Sequence, residues 1–271
     1  MKKQSISEIK QCLEGARTED LRPLLLSYAE DERQGVQKLL RSFERKLKKV
    51  EALHRRHESM LSFDRSYSDY VIGIDEVGRG PLFGPVLSAA CHIRPCEALI
   101  EVFDSKSLSE EKREALFDKI LECADAFGIG IVGAKEIDRI GIQSAIAGAM
   151  KQALDACFEM LESTRANGAS AAAAGMPSVL ADYISFSIEG YAPTPIVKGD
   201  TKSFQIACAS ILAKVTRDRL VAQMAERYPD YDLKSNKGYG SQRHLEAIRR
   251  LGPCEEHRMS FLRGILNETA R

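Results

Sequence analysis

Residues 73–86 read GIDEVGRGPLFGPV, in which an apolar strand leads directly into two acids and then into a glycine-rich turn. The acids, Asp75 and Glu76, are costly to bury unless a cation or hydrogen bonds compensate them. Mg²⁺ and Mn²⁺ prefer carboxylate oxygens, so the pair is a candidate metal site. Neighbouring residues on a regular strand point to opposite faces, so both acids serve one site only where the strand ends or bulges. Taken alone, the pair is more typical of an acidic turn.

The turn that follows contains Gly78, Arg79 and Gly80, and is called the glycine turn below. Glycine has no side chain, so this backbone can approach a ligand closely and offer hydrogen bonds to a phosphate or a sugar hydroxyl. A single GxG is weak evidence for such a role. Its position directly after the two acids makes the combined signal strong.

Two further acids follow apolar strands later in the chain. Asp182 ends the predicted strand 179–182, and Asp200 follows the predicted strand 194–198 after one glycine. Strands that end in acids at one edge of a sheet predict a cluster of four carboxylates. Such a cluster repels itself unless divalent cations are present. Two cations at one site can activate water and stabilise the leaving oxygen of a phosphodiester.

Candidate substrate contacts lie outside the acids. Lys106 precedes a predicted helix, and helix N-termini bind phosphate readily. Within that helix start, Ser107 and Glu110 have the spacing of a capping box. Tyr239 stands between two glycines, where its ring either stacks on a sugar or base or packs on a helix edge. His244 and His257 have no partner at metal-ligand spacing and are interpreted as structural or surface residues.

The composition restricts the class of protein. Of 271 residues, 44% are hydrophobic and 29% are charged, which is ordinary for a globular chain. No apolar run approaches the roughly 18 residues of a membrane span, and the basic start lacks the apolar run of a secretory signal, so we expect a cytoplasmic protein without a membrane partner. The seven cysteines form no CxxC pair, which argues against a disulfide framework or a zinc ribbon.

The first 69 residues are predicted to be a helical extension, in which the polar stretch 62–69 is a linker. Apolar residues recur at steps of three and four from Val36 to Leu53, which predicts an amphipathic helix. Residues 38–56 contain eight Lys/Arg, although the net charge of the whole chain is zero. This basic face is either a solvated surface or a contact for nucleic-acid phosphates.

From Tyr70 onward, strands mixed with helices predict an α/β domain with a mixed sheet. The predicted strands are Tyr70–Asp75, Val86–Ile93, Phe127–Val132, Val179–Asp182 and Thr194–Lys198. The predicted helices are Ser107–Cys123, Ser144–Leu161, Ser203–Tyr228 and Leu245–Leu251, the last ending at Gly252. The Ala- and Gly-rich residues 164–177 are predicted to form a surface loop or a helix end.

Together these motifs resemble those of bacterial ribonuclease HII, a type 2 ribonuclease H. The resemblance covers about residues 70–261, with the motifs in the same order. They are GIDEVGRGPLFGPV at 73–86, DSKSLS at 104–109, Asp182 after an apolar strand, KGDTKS at 198–203, ASILAKVTRD at 209–218 and NKGYG at 236–240.

The resemblance implies an RNase H-like α/β fold, a mixed five-stranded sheet flanked by helices. It implies additional C-terminal helices and divides the chain into the extension, residues 1–69, and a catalytic domain, residues 70–271. The implied activity is endonucleolytic cleavage of RNA in RNA–DNA hybrids, and cleavage 5′ to single ribonucleotides embedded in duplex DNA. The implied mechanism uses two ions, Mg²⁺ or Mn²⁺, and leaves 3′-hydroxyl and 5′-phosphate ends. We expect a monomer.

The resemblance also implies roles for individual residues. The family's catalytic, metal-binding acids correspond to Asp75, Glu76, Asp182 and Asp200. Its substrate-binding positions correspond to the 2′-hydroxyl-reading turn Gly78, Arg79 and Gly80, the junction-sensing Tyr239, and Lys106 near substrate phosphates. The chain departs from the usual pattern at Phe83, at Asn236, and at Tyr183, which follows Asp182 where many members have glycine.

Two alternatives remain open at this point. Ribonuclease HIII has similar chemistry, but typically a glycine-rich motif without this arginine and a small β-containing N-terminal domain. The second alternative is a non-catalytic nucleic-acid-binding protein on the same fold. Four retained acids argue against it, because pure binding would favour neutral or basic residues there.

Overall fold

The structure is a computed structural model that describes residues 4–166 and 176–268. The chain divides into two compact units, residues 1–58 and 59–271. Most of the segment 164–177, predicted to be a surface loop or a helix end, lies outside the described residues, and residues 164–166 form the end of the preceding helix. Among the described helices, none combines the length and the apolarity that crossing a membrane requires.

The first unit is helical, as its sequence predicts. It contains α1 (Ile6–Gly15), α2 (Thr18–Ser27) and most of α3 (Gln34–Arg65). Helix α1 begins with the capping box of Ser5 and Glu8. The apolar residues of the three helices form one buried cluster, which consists of Ile9, Leu13, Leu21, Leu25, Val36, Leu40, Phe43 and Leu47. The predicted linker 62–69 is wrong in its first half, because α3 continues to Arg65.

The second unit is built on one five-stranded mixed sheet. Its strands are β1 (Val71–Val77), β2 (Val86–Ile93), β3 (Ala124–Val132), β4 (Ser178–Asp182) and β5 (Thr194–Ile196). They lie in the order β3-β2-β1-β4-β5. The β1–β2 and β2–β3 pairs are antiparallel, whereas β1–β4 and β4–β5 are parallel. The predicted mixed sheet is confirmed.

Seven helices accompany the sheet in the described part of the second unit. They are α4 (Glu110–Glu122), α5 (Ala134–Ile140), α6 (Ile142–Ala166), α7 (Phe204–Arg227), α8 (Leu233–Asn236), α9 (Gln242–Leu251) and α10 (Met259–Glu268). Helix α9 ends at Gly252, as predicted. The N-cap of α4 is Ser109, which accepts from the backbone N–H of Lys112, so the predicted capping box at Ser107 is wrong.

The two faces of the sheet bury separate apolar clusters, because successive strand residues point to opposite sides. Ile72 and Ile74 pack in the cluster that contains the buried face of α6. On the other face, the backbone of α7 lies directly against β1. A Cβ on Gly73 would stand 2.1 Å from the backbone carbon of Gln205, so only glycine permits this approach. This contact brings the start of α7 beside the carboxyl end of β1.

Candidate active site

The four predicted acids lie at one end of the central strands. Asp75 is in β1 and Asp182 is the last residue of β4. The parallel register pairs Ile74 with Ala181, and therefore places the next residues of each strand, Asp75 and Asp182, side by side. This is the convergence that strands ending in acids predict.

Asp75 is buried on the α7 side of the sheet, with 6% of its surface exposed. Its carboxylate accepts a hydrogen bond from the backbone N–H of Glu76 at 2.8 Å, and the nearby Ser210 hydroxyl of α7 lowers its pKa. Ser210 is in turn hydrogen-bonded to Ser105 at 2.8 Å. Sequence reasoning missed both serines, because nothing in their local pattern points to a carboxylate.

Asp200 reaches the same place through a tight turn after β5. Asp182 accepts a hydrogen bond from the backbone N–H of Gly199 at 2.8 Å, which ties this turn to the end of β4. Lys198 adopts a left-handed conformation, with φ of 56°, immediately before it. Asp200 is buried, and its carboxylate lies 3.5 Å from Nζ of Lys106. Exposed Tyr183 follows Asp182 without displacing it from the Gly199 hydrogen bond.

Electrostatics shows that these carboxylates act on one another. Burial raises the pKa of Asp75 well above its usual value, and Glu76 and Asp182 raise it further. Burial and then Asp182 also raise the pKa values of Glu76 and of Asp200. We refer to Asp75, Glu76, Asp182 and Asp200 as the acid cluster. Asp182 thus raises the pKa of both Asp75 and Glu76, the two neighbouring acids of β1.

Among the described residues, Asp200 forms its ion pair with Lys106. Burial lowers the pKa of its ammonium group, but Asp200, Asp75 and Asp182 outweigh this and raise it. Its side chain is 80% exposed, so it reaches the acids from the solvent side. The structure therefore places Lys106 at the edge of the acid cluster.

The acid cluster fits a hard divalent cation by its chemistry. It offers carboxylate oxygens alone, which suit Mg²⁺ and Mn²⁺, and its raised pKa values mark a site that needs added positive charge. In residues 4–166 and 176–268, no group of three or more His, Cys, Asp or Glu side chains is drawn together closely enough to form a completed metal centre.

The glycine turn lies directly beyond the acids. Gly78 has φ of 89°, which reverses the chain after β1 and leaves Arg79 and Gly80 exposed. The turn 236–240, called the tyrosine turn, lies beside it: a Cβ on Gly80 would stand 3.7 Å from Cε1 of Tyr239. The Tyr239 side chain is 48% exposed, so part of its ring is free to contact a ligand.

The two histidines of the C-terminal region are structural, and neither is a surface residue. His244 is fully buried, and its Nδ1 lies 2.8 Å from the backbone carbonyl of Tyr239. Its Nε2 lies 3.1 Å from Nε2 of His257. Burial lowers the pKa of both rings, so they stay neutral at neutral pH. This pair supports the tyrosine turn from within the protein.

The fold is that of the ribonuclease H class of nucleases, as a solved structure and two family models show. The crystal structure of ribonuclease H2 from Pyrococcus horikoshii has the same fold, with a TM-score of 0.57 and 27% identity over 74% of this chain and 99% of that chain. A family model described as ribonuclease HII matches residues 72–264, and one described as ribonuclease HII N-terminal domain matches residues 5–68. The chain belongs to the ribonuclease HII family.

Curated relatives agree over almost the whole chain. The protein named ribonuclease HII of Lachnoclostridium phytofermentans is 42% identical over 241 residues, covering 88% of this chain and 89% of the relative. The protein of the same name in Lactobacillus delbrueckii is 41% identical over 260 residues, covering 94% of each. The resemblance to ribonuclease HII is thus confirmed, and the chain is a ribonuclease H endonuclease.

Proposed function

We propose that this ribonuclease H hydrolyses the phosphodiester 5′ to ribonucleotides, both in RNA–DNA hybrids and at single ribonucleotides in duplex DNA. The observation that carries the proposal is the acid cluster beside the glycine turn. Cations held by these carboxylates would attract a phosphodiester, and the exposed backbone turn beside them can contact its sugar. The 2′-hydroxyl is the group that distinguishes RNA from DNA at one position.

The acid cluster is proposed as the metal site and the catalytic centre. Asp75, Glu76, Asp182 and Asp200 would hold two divalent cations, Mg²⁺ or Mn²⁺; a two-ion site activates water and stabilises the leaving oxygen. Divalent-metal dependence is a property of the ribonuclease H family to which the chain belongs. The Ser210 hydroxyl, which lies close enough to lower the pKa of Asp75, would help to orient its carboxylate. Products would carry 3′-hydroxyl and 5′-phosphate ends.

The surrounding turns are proposed to bind the substrate. Gly78, Arg79 and Gly80 would contact the 2′-hydroxyl and the adjoining phosphate through exposed backbone and guanidinium groups. The exposed part of Tyr239 would stack on the neighbouring sugar or base and so sense the RNA–DNA junction. Lys106, at the solvent edge of the acid cluster, would contact a substrate phosphate.

The domain assignment is also a proposal: residues 1–69 form a helical extension and residues 70–271 the catalytic domain. On the first unit, α3 exposes a row of basic side chains at helical spacing, consisting of Lys38, Arg41, Arg45 and Lys48. None of the four makes an ion pair among those of the described residues. This charge suits the phosphate backbone of a nucleic-acid duplex.

The deciding experiment is a nicking assay on a DNA duplex that contains one ribonucleotide. We expect cleavage in Mg²⁺ or Mn²⁺, none in EDTA, and none of the matching all-DNA duplex. The upstream product should be extendable by a DNA polymerase, because cleavage 5′ to the ribonucleotide leaves a 3′-hydroxyl on the preceding deoxynucleotide. Tight binding without nicking in both metals would contradict the proposal and favour the non-catalytic alternative.

A further inference from the structure

Two arginines that contact the glycine turn and the tyrosine turn are fully buried, and neither forms an ion pair with a carboxylate among the described residues. Arg217 of α7 and Arg258, directly before α10, have no exposed surface. Burial lowers the pKa of each guanidinium, that of Arg258 to about 9, so both remain charged at neutral pH. Such burial is expensive, and apolar residues of similar size would fill the space at lower cost.

Five backbone carbonyls accept the hydrogen bonds of these two side chains. Arg217 donates to the carbonyls of Phe83, Pro85 and Lys237, at 3.1, 3.1 and 3.0 Å. Arg258 donates to the carbonyls of Gly84 and Arg79, at 2.9 and 3.2 Å. The planar, forked guanidinium group is suited to several acceptors at fixed spacing. Arg79 belongs to the glycine turn and Lys237 to the tyrosine turn, the two turns proposed to bind the substrate. The other three acceptors lie in the segment between the glycine turn and β2.

Arg258 controls the orientation of the glycine turn. A trans peptide is planar, so its carbonyl and the next N–H point in opposite directions. Because Arg258 holds the carbonyl of Arg79 inward, the N–H of Gly80 is directed to the opposite side, away from Arg258. Gly80 is exposed and lies beside Tyr239. Its N–H therefore faces the exposed surface beside Tyr239, which the proposed function assigns to the substrate sugar.

Arg217 joins the tyrosine turn to the segment that follows the glycine turn, because it donates to Lys237 of the former and to Phe83 and Pro85 of the latter. The packing around Arg217 leaves no room for an added side chain at the neighbouring glycines. A Cβ on Gly78 would stand 2.4 Å from Nε of Arg217. A Cβ on Gly238 would stand 2.7 Å from the Phe83 carbonyl oxygen, one of the acceptors. The tyrosine turn is also joined to this segment by a backbone hydrogen bond from Leu82 to Gly238 at 2.8 Å.

We propose that Arg217 and Arg258 are positioning residues that set the selectivity for ribonucleotides over deoxyribonucleotides. They orient the Gly80 N–H and keep the glycine turn in register with Tyr239. This inference rests on the proposed function, in which those turns read the substrate. Neither arginine contacts the reacting atoms, so their effect is on recognition of the sugar and on the alignment of the substrate.

The test compares binding to two duplexes of identical sequence, one with a central ribonucleotide and one entirely of DNA. Dissociation constants are measured in Ca²⁺ or EDTA, and nicking in Mg²⁺ is followed separately for KM and kcat. Arg258→Lys keeps the positive charge and removes the forked guanidinium. The preference for the ribonucleotide is the dissociation constant of the all-DNA duplex divided by that of the ribonucleotide duplex. We expect Arg258→Lys to reduce this ratio about tenfold, which is the effect of losing roughly one hydrogen bond. Affinity for the all-DNA duplex should stay unchanged.

A second variant leaves both arginines in place. Gly238→Ala displaces the Phe83 carbonyl from Arg217 and should reduce the same ratio. Its matched control is Gly141→Ala, which carries a similar positive φ, 81°, with no neighbouring atom within 4 Å of the added methyl group. Arg219→Lys is the control for charge on α7, because Arg219 is exposed and paired with Glu114. Neither control should change the ratio.

The outcomes separate three explanations. A normal ratio in folded Arg258→Lys or in folded Gly238→Ala overturns the proposal. A purely structural role would lower thermal stability and the active fraction equally for both duplexes, and this result also overturns it. If wild-type protein neither nicks nor prefers the ribonucleotide duplex, the proposed function itself fails, and with it this inference. Loss of the preference in both variants, with both controls normal, supports it.

Discussion

Asp64→Asn should change the pH dependence of stability. Asp64 lies near the end of α3, is 6% exposed, and accepts a hydrogen bond from the backbone N–H of Gln205 at the start of α7, at 3.1 Å. Burial raises its pKa from 3.8 to about 6. A difference of this size corresponds to about 3 kcal/mol between the two protonation states. Asparagine retains an oxygen acceptor for Gln205 and cannot ionise.

The sign follows from proton linkage. The folded chain binds the Asp64 proton more tightly than the unfolded chain does, because the folded pKa is the higher one. Its contribution to stability is complete below pH 4 and is lost as the pH rises through about 6. The free energy of unfolding of Asp64→Asn, minus that of wild type, should therefore grow by about 2 kcal/mol between pH 4 and pH 7.

Urea unfolding followed by circular dichroism measures this difference at each pH, with the slope against denaturant checked for equality. Subtracting wild type removes the titration of all other groups. Asp118→Asn, an exposed substitution on α4, should give a flat difference curve. A flat curve for Asp64→Asn as well would refute the reasoning that burial dominates the ionisation of this carboxyl group.

Three further outcomes are expected. Asp75→Asn should reduce nicking by more than the roughly 100-fold typical of residues that only support a metal ligand, while the midpoint of thermal unfolding stays equal or rises, because a buried charge is removed. Normal turnover would refute the metal assignment. Tyr239→Ala should weaken cleavage at a lone ribonucleotide by about tenfold or more, from a stacking interaction of about 1–3 kcal/mol, and should affect long hybrids less. Tyr239→Phe is its control, and equal losses on both substrates would remove the junction role. Changing the basic row of α3 to glutamine should lower the slope of log affinity against log salt by about 0.9 for each phosphate that the variant no longer neutralises, as measured by fluorescence anisotropy; an unchanged slope would leave that face as solvated surface.

Local patterns in the chain predicted most of the elements. The strand Val86–Ile93 has its predicted bounds, and α7 begins one residue after its predicted start, with Ser203 as the N-cap. These features depend on near neighbours: the alternation of apolar residues, a capping hydroxyl, a glycine after a helix. The two errors have different causes. Several nearby serines could cap α4, so the local pattern does not decide between Ser107 and Ser109. The linker prediction failed because Asp64, a polar residue at the end of α3, is held by a hydrogen bond from Gln205, 141 positions away.

The order of motifs along the chain was sufficient to recognise the family, because the acids and glycines that carry the chemistry sit in short, characteristic stretches. Tertiary structure alone decided how the site is supported. Ser210 lies near Asp75 because glycine at position 73 lets α7 lie against β1. Arg258 finds the Gly84 carbonyl 174 positions away. Backbone carbonyls are present at every residue, so no sequence pattern marks the few that a buried arginine will hold; folding selects them by bringing distant segments together.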